Sequence, residues 1–200
     1  MALPSDIAQK VRKDSSEVVR RSVEKQIQMA FNKIKTAMIR EFLNHPVTEE
    51  IKNGPDSPNL SGTLNGYGNL FSYIGFYDGD DPIKAVLEEF EKSTIVYSGL
   101  VEGGASWKIY IPNKQDIWDA SPMPWAQGRS WAKGIETGIS GVGYYLYSQR
   151  RNMQNSRSGP AIQTENKITR PRFKNVKYIS AILDKYEEKF SQLDEASIST

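Results

Sequence analysis

Between Ser5 and Leu43 the chain contains neither glycine nor proline, and Val11, Val18, Val23, Ile27, Ala30, Phe31, Ile34, Met38, Ile39 and Phe42 recur three and four residues apart. An apolar stripe at that spacing predicts one long α-helix. From Ser15 to Leu43 alone it would run ~43 Å at ~1.5 Å per residue, more than a compact domain of this size needs, so part of it should project. The portion from Ile7 to Ser22 is poorer in apolar residues and carries Ser15 and Ser16 at its middle, so its ordering should come from another subunit. His45-Pro46 closes the helix, because the proline ring disfavours helical geometry in the residue before it and offers no amide hydrogen.

With 200 residues and 38% hydrophobic content, one sizeable core is the expectation. We divide the chain into a projecting helical extension (1–22), a single α+β domain (23–193) and a flexible tail (194–200). A short helix is expected at Val47–Lys52, then a loop from Asn53 to Asn69 rich in Gly, Asn, Ser and Pro. Leu70–Phe76 reads as an aromatic strand. Asp80-Asp81-Pro82 then opens a helix to about Lys92, with a carboxylate cap, proline at the first helical position and Ile83, Val86, Leu87 and Phe90 on one face. Thr94–Val101 and Ser106–Ile111 predict a hairpin across a turn with two glycines. Beyond it come a helix from about Pro124 to Thr137, strands at Tyr144–Arg150 and Pro160–Thr164, and a last helix from about Asn175 to Leu193 with Val176, Ile179, Leu183, Tyr186, Phe190 and Leu193 as its apolar stripe. That order describes an α+β fold: helices packed with a small antiparallel sheet.

The chemistry available is limited. The chain has no cysteine, which removes disulfides, thiolate metal sites and cysteine nucleophiles and fits assembly in a reducing cell. Its one histidine, His45, lies at a helix end and reads as a capping or surface residue, so no triad and no multi-histidine metal site can be drawn. Asp78, Asp80 and Asp81 fall short of a calcium loop, since Pro82 and Ile83 occupy positions that need an oxygen ligand and a glycine. Gly66-Tyr67-Gly68 lacks the third glycine of a dinucleotide fingerprint, and the serines near Gly99 and Gly141 have no evident base. We expect no catalytic residues, no metal and no cofactor. No stretch reads as a signal core or membrane span.

Net charge is only +2, so partner arguments rest on local clusters. From Tyr144 to Ala181, Arg150, Arg151, Arg157, Lys167, Arg170, Arg172, Lys174 and Lys177 stand against Glu165 alone, a net +7 interleaved with Tyr145 and Tyr147. From Phe76 to Gly104, seven acids including Asp78, Asp80, Asp81 and Glu102 stand against Lys84 and Lys92, a net −5. Opposite patches on one subunit suit a head-to-tail contact between copies, or the basic segment alone follows a phosphate backbone as a nucleic-acid-binding module. Trp125, Arg129 and Trp131 are of the types enriched at contact centres, with a core role as the alternative for the tryptophans.

Asn59-Leu60-Ser61-Gly62-Thr63-Leu64, the stretch Gly68–Phe76, Trp131-Ala132-Lys133-Gly134-Ile135-Glu136-Thr137-Gly138 and Ser156–Gln163 together resemble segments of tailed-phage virion structural proteins. The plan is similar to the tail-completion and head-to-tail joining (neck) family: a long first helix, a Gly-Asn-Leu strand opening, an aromatic-x-x-x-hydrophobic-Glu-x-Gly step and a final helix. That resemblance implies a non-enzymatic homo-oligomeric ring, sixfold, whose other partners are neighbouring neck and tail proteins, with transient contact to passing DNA. It would place the chain in the virion neck or tail after assembly in the host cytoplasm. The extended first helix, the long 53–69 loop and the tryptophan-rich insert depart from the shorter members of that family.

Overall fold

The computed structural model describes residues 5–64, 68–101, 104–139 and 173–196. Helix α1 spans Ser5–Leu43, about 58 Å at ~1.5 Å per residue. Its buried positions Ile27, Phe31, Met38 and Phe42 follow the expected stripe, flanked by partly buried Ile34, Ile39 and Leu43. Residues 5–22 continue the same helix. Helix α2 (Pro46–Lys52) begins at once, with His45 as its N-cap and Pro46 in its first turn.

After a 3-10 turn at Gly54–Asp56, the chain reaches the first departure from expectation. Leu70–Ile74 is a short helix, α3, where an aromatic strand was expected. The Asn69 side chain accepts from the Ser72 amide at 2.9 Å and fixes the first helical turn. Gly75, at φ +91°, ends it in the left-handed conformation. Leu70, Phe71 and Ile74 are all buried. Aromatic and β-branched content suggests a strand, but a capped turn with its apolar side against the core overrides that preference.

Helix α4 (Pro82–Glu91) forms where expected, capped by Asp81 onto the Lys84 amide at 3.2 Å, with Ile83, Val86 and Phe90 buried. Strands β1 (Thr94–Val101) and β2 (Gly104–Tyr110) pair antiparallel, Thr94 opposite Tyr110 and Tyr97 opposite Trp107, with a bulge between Tyr97 and Gly99. Helix α5 (Lys114–Asp119), absent from the expectation, is set by a reciprocal capping box between Asn113 and Asp116.

The helix expected at Pro124–Thr137 is halved. Pro122–Met123 and Ala126–Ser130 form a tight hairpin, β3 and β4, and only Trp131–Thr137 is helical (α6). Ser130 is the reason for the late start: its hydroxyl accepts from the Lys133 amide at 3.0 Å. The strands expected at Tyr144–Arg150 and Pro160–Thr164 lie outside the described residues, as does the tail from residue 197. The last helix, α7 (Ile179–Ala196), starts four residues later than expected. The Val176 amide donates to the Ile135 carbonyl at 3.3 Å and the Lys174 amide to the Thr63 carbonyl at 2.8 Å, holding 173–178 as an irregular strap.

The result is an α+β fold whose described strands form two separate two-stranded antiparallel ribbons. The core is helical. Helices α1 and α7 run antiparallel, with Phe31 against Phe190 at one end and Phe42 against Tyr178 at the other. Between them Glu41 accepts from Lys185 Nζ at 2.6 Å and from the Tyr186 hydroxyl at 2.9 Å. Burial and that hydrogen bond push the Tyr186 phenol up to about 12.

Candidate interaction surface

The tryptophan segment divides in two. Trp131 is 1% exposed and packs edge-on to Phe76 at 6.2 Å and beside Tyr178 at 6.4 Å. It is a core residue, which corrects its assignment to a contact surface: as the first residue of α6 it points into the junction with α7. Trp125 is partly buried, and its indole N–H donates to the Ile74 carbonyl at 2.6 Å, tying the β3–β4 turn to the end of α3. Arg129 is exposed on β4 and lines a shallow cavity of about 270 Å³ with Lys133 and Thr137. Tyr145, Tyr147, Arg150, Arg151, Arg157 and Glu102 lie outside the described residues.

Asp78, Asp80 and Asp81 are exposed in the turn before α4. Asp80 Oδ2 accepts from the Tyr77 amide at 2.7 Å and Asp81 caps α4, so two of the three carboxylates shape the turn. His45 does cap, but at the start of α2 rather than as a cation at the end of α1: its Nδ1 accepts from the Val47 amide at 3.2 Å.

Two carboxylates that composition does not single out organise the irregular parts. Glu50 is fully buried, and three donors converge on it: the Asn59 side-chain amide (2.9 Å), the Ser61 amide (2.7 Å) and the Leu70 amide at the start of α3 (2.7 Å). A buried carboxylate is tolerated when its oxygens are satisfied this way. Glu136 does the same for α7. It accepts from the Tyr178 amide (3.3 Å), the Ser180 amide (2.7 Å) and the Ser180 hydroxyl (2.5 Å), occupying the N-terminal donors of that helix. The glycine two positions earlier has a packing role as well. A Cβ on Gly134 would stand 2.9 Å from Ile139 Cγ1 and 3.0 Å from Met123 Cε. The Trp131–Gly138 and Gly68–Phe76 segments are thus core and cap elements of this fold.

The β1–β2 ribbon presents the surface best suited to a partner. Ile95, Tyr97, Trp107 and Ile109 face inward, with Tyr97 and Trp107 in edge contact at 5.7 Å. The opposite face carries Thr94, Val96, Lys108 and Tyr110, of which Val96 is 50% and Tyr110 54% exposed. The root of the ribbon is anchored: Lys35 on α1 donates to the carbonyls of Glu91 (2.5 Å) and Ser93 (2.8 Å). Among the described residues each strand has one paired and one unpaired edge. Beside the outer edge of β2 runs a groove of about 400 Å³, bounded by Trp107, Ile109, Ile111, Glu187 and Phe190. Alternation within each strand signals which residues face out; the separation of the ribbon from the second hairpin does not show in the sequence.

Among the described residues no cluster of histidine, cysteine or carboxylate side chains is arranged to hold a metal ion, and no helix is long and apolar enough to cross a membrane. Comparison with protein-family models, with characterised proteins and with solved structures returned no match.

Proposed function

We propose that this chain is a structural subunit of a tailed-phage neck, a tail-completion, terminator or head-to-tail connector protein that assembles into a homo-oligomeric ring through which DNA passes. The observation that carries this reading is the anchored β1–β2 ribbon, with Val96 and Tyr110 outward and, among the described residues, an unpaired edge on each strand. Strand addition uses such edges: backbone donors and acceptors of one copy meet those of the next, and outward side chains set the register. When the β1 edge of one copy meets the β2 edge of the next the contact is head-to-tail, and a head-to-tail contact closes into a ring when the rotation per subunit divides a full turn. The family resemblance of the sequence adds the neck setting, the sixfold number and the neighbouring neck and tail proteins as partners.

Native mass spectrometry of the purified protein, alone and mixed with those neighbours, tests this reading. The expected species is a closed ring of six copies of the 22.6 kDa chain. A monomer in every mixture sinks the proposal. A salt titration with duplex DNA separates the second reading, a nucleic-acid-binding module on the basic segment 144–181. Tight binding by the isolated chain that weakens steeply with salt would favour that module, whereas a ring subunit binds DNA weakly.

A further inference from the structure

The groove beside β2 is lined by the unbroken run Trp107–Ile111 and, across from it, by Glu187, Phe190 and Ser191 of α7. Successive residues of a strand point to opposite faces, so a groove that touches every one of them follows the strand's edge and not one of its faces. That edge is the one β1 leaves open among the described residues. The lining is apolar at Trp107, Ile109 and Phe190, while the α7 rim is acidic, with Glu187 and Glu188 exposed. The acidic rim lies toward the end of β2, because Lys114, shortly beyond Tyr110, pairs at 2.7 Å with Asp184, in the turn of α7 just before Glu187 and Glu188.

We propose that this groove seats strand β1 of a second copy, which pairs antiparallel with β2 and sets its Ile95 and Tyr97 against the apolar lining. This rests on the assembly reading above and names the surfaces that meet. Strand β1 fits the groove in length, alternation and charge. The bulge between Tyr97 and Gly99 leaves Ser98 without a partner in register, so the uninterrupted part of β1 runs from Thr94 to Tyr97, a stretch matched to the Trp107–Ile111 side of the groove. A strand added at that edge sends every second side chain toward α7. Ile95 and Tyr97 hold those positions, and each is only partly buried in its own subunit, so each has surface left to cover. In a sheet that repeats β1–β2 with strand direction kept, the incoming β1 begins where β2 ends. Lys92, just before β1, pairs with Glu89 of its own subunit and keeps a side chain that is 66% exposed. It then arrives at the rim formed by Glu187 and Glu188, which places opposite charges across the contact and fixes its direction.

The chain has no cysteine, so a cysteine placed in it reports one contact without background. The experiment makes two full-length variants, Lys92→Cys and Glu187→Cys, both at exposed positions outside the core. Each is treated with a short bis-maleimide linker alone and then in an equal mixture, beside native mass spectrometry of the same samples. Expected is a linked pair in the mixture that contains one chain of each variant, with loss of that pair when either variant is treated alone. Linking of Glu187→Cys to itself in place of the mixed pair would show two β2 edges meeting about a two-fold axis and overturns the proposal. A ring in native mass spectrometry with no mixed pair overturns the groove contact and leaves the ring reading standing. Absence of both ring and mixed pair, with or without the neighbouring neck and tail proteins, removes the two together.

Discussion

The junction of α1, α4 and α7 and the β1–β2 ribbon are both built from aromatic and aliphatic residues, yet they treat them in opposite ways. At the junction Met38, Phe42, Val86, Phe90 and Tyr178 are wholly removed from solvent, with Phe42 tilted against Phe90 at 5.0 Å and stacked on Tyr178 at 6.2 Å. On the ribbon, Trp107 is buried while Val96 and Tyr110 stand half in solvent. The difference follows from how each element satisfies its backbone. A helix closes its own hydrogen bonds, so burying one stripe against its neighbours completes it. A strand of a two-stranded ribbon, as the described residues form here, closes only half of its bonds internally and has a second face left to solvent. Stability should therefore reside in the helical junction and assembly in the ribbon.

That division can be broken at several places. Phe42→Ala removes a ring from the packed centre and should cost about 3 to 5 kcal/mol of unfolding free energy in a urea titration; a loss under about 1 kcal/mol would mean that the junction is not the stabilising centre. Glu50→Ala leaves the Asn59, Ser61 and Leu70 donors without their acceptor. It should cost about 3 kcal/mol and expose the 53–69 loop to limited proteolysis. An unchanged cleavage pattern would show that the loop is held by other contacts. The double variant Val96→Ser with Tyr110→Ser touches only the outward face, so its stability should change by less than ~0.5 kcal/mol. Its ring species in native mass spectrometry should nevertheless disappear. Intact rings in that variant would move the assembly contact off the ribbon, and a large stability loss would remove the distinction between the two regions.

The helices were legible where periodicity and caps agreed. Ile27, Phe31, Met38 and Phe42 share one face because α-helical geometry leaves no other arrangement of that spacing, and Asp81-Pro82 starts α4 because both residues suit a helix N-terminus. Leu70–Ile74 was misread because five residues are too few to show a period, and what decided it was the Asn69 cap and the burial of Leu70, Phe71 and Ile74. The surface was legible only in part. The hairpin was expected but its exposed Val96 and Tyr110 were not singled out, whereas Trp131, expected at a contact surface, went to the core.

What the sequence determined by itself is the local bookkeeping: the long first helix, its stop at His45-Pro46, the capped α4, the hairpin, and the absence of cysteine. These depend on residues a few positions apart, whose interactions do not need the rest of the chain. Tertiary structure alone decided that Glu50 collects amides up to 20 residues away, that Glu136 caps a helix 44 residues later, and that His45 meets a strap from the far end of the domain. The first helix joins the two levels. Its stripe is written in the spacing of Ile27, Phe31, Met38 and Phe42, but the partner it meets, α7, is chosen by which other apolar surface the folded chain has left to bury.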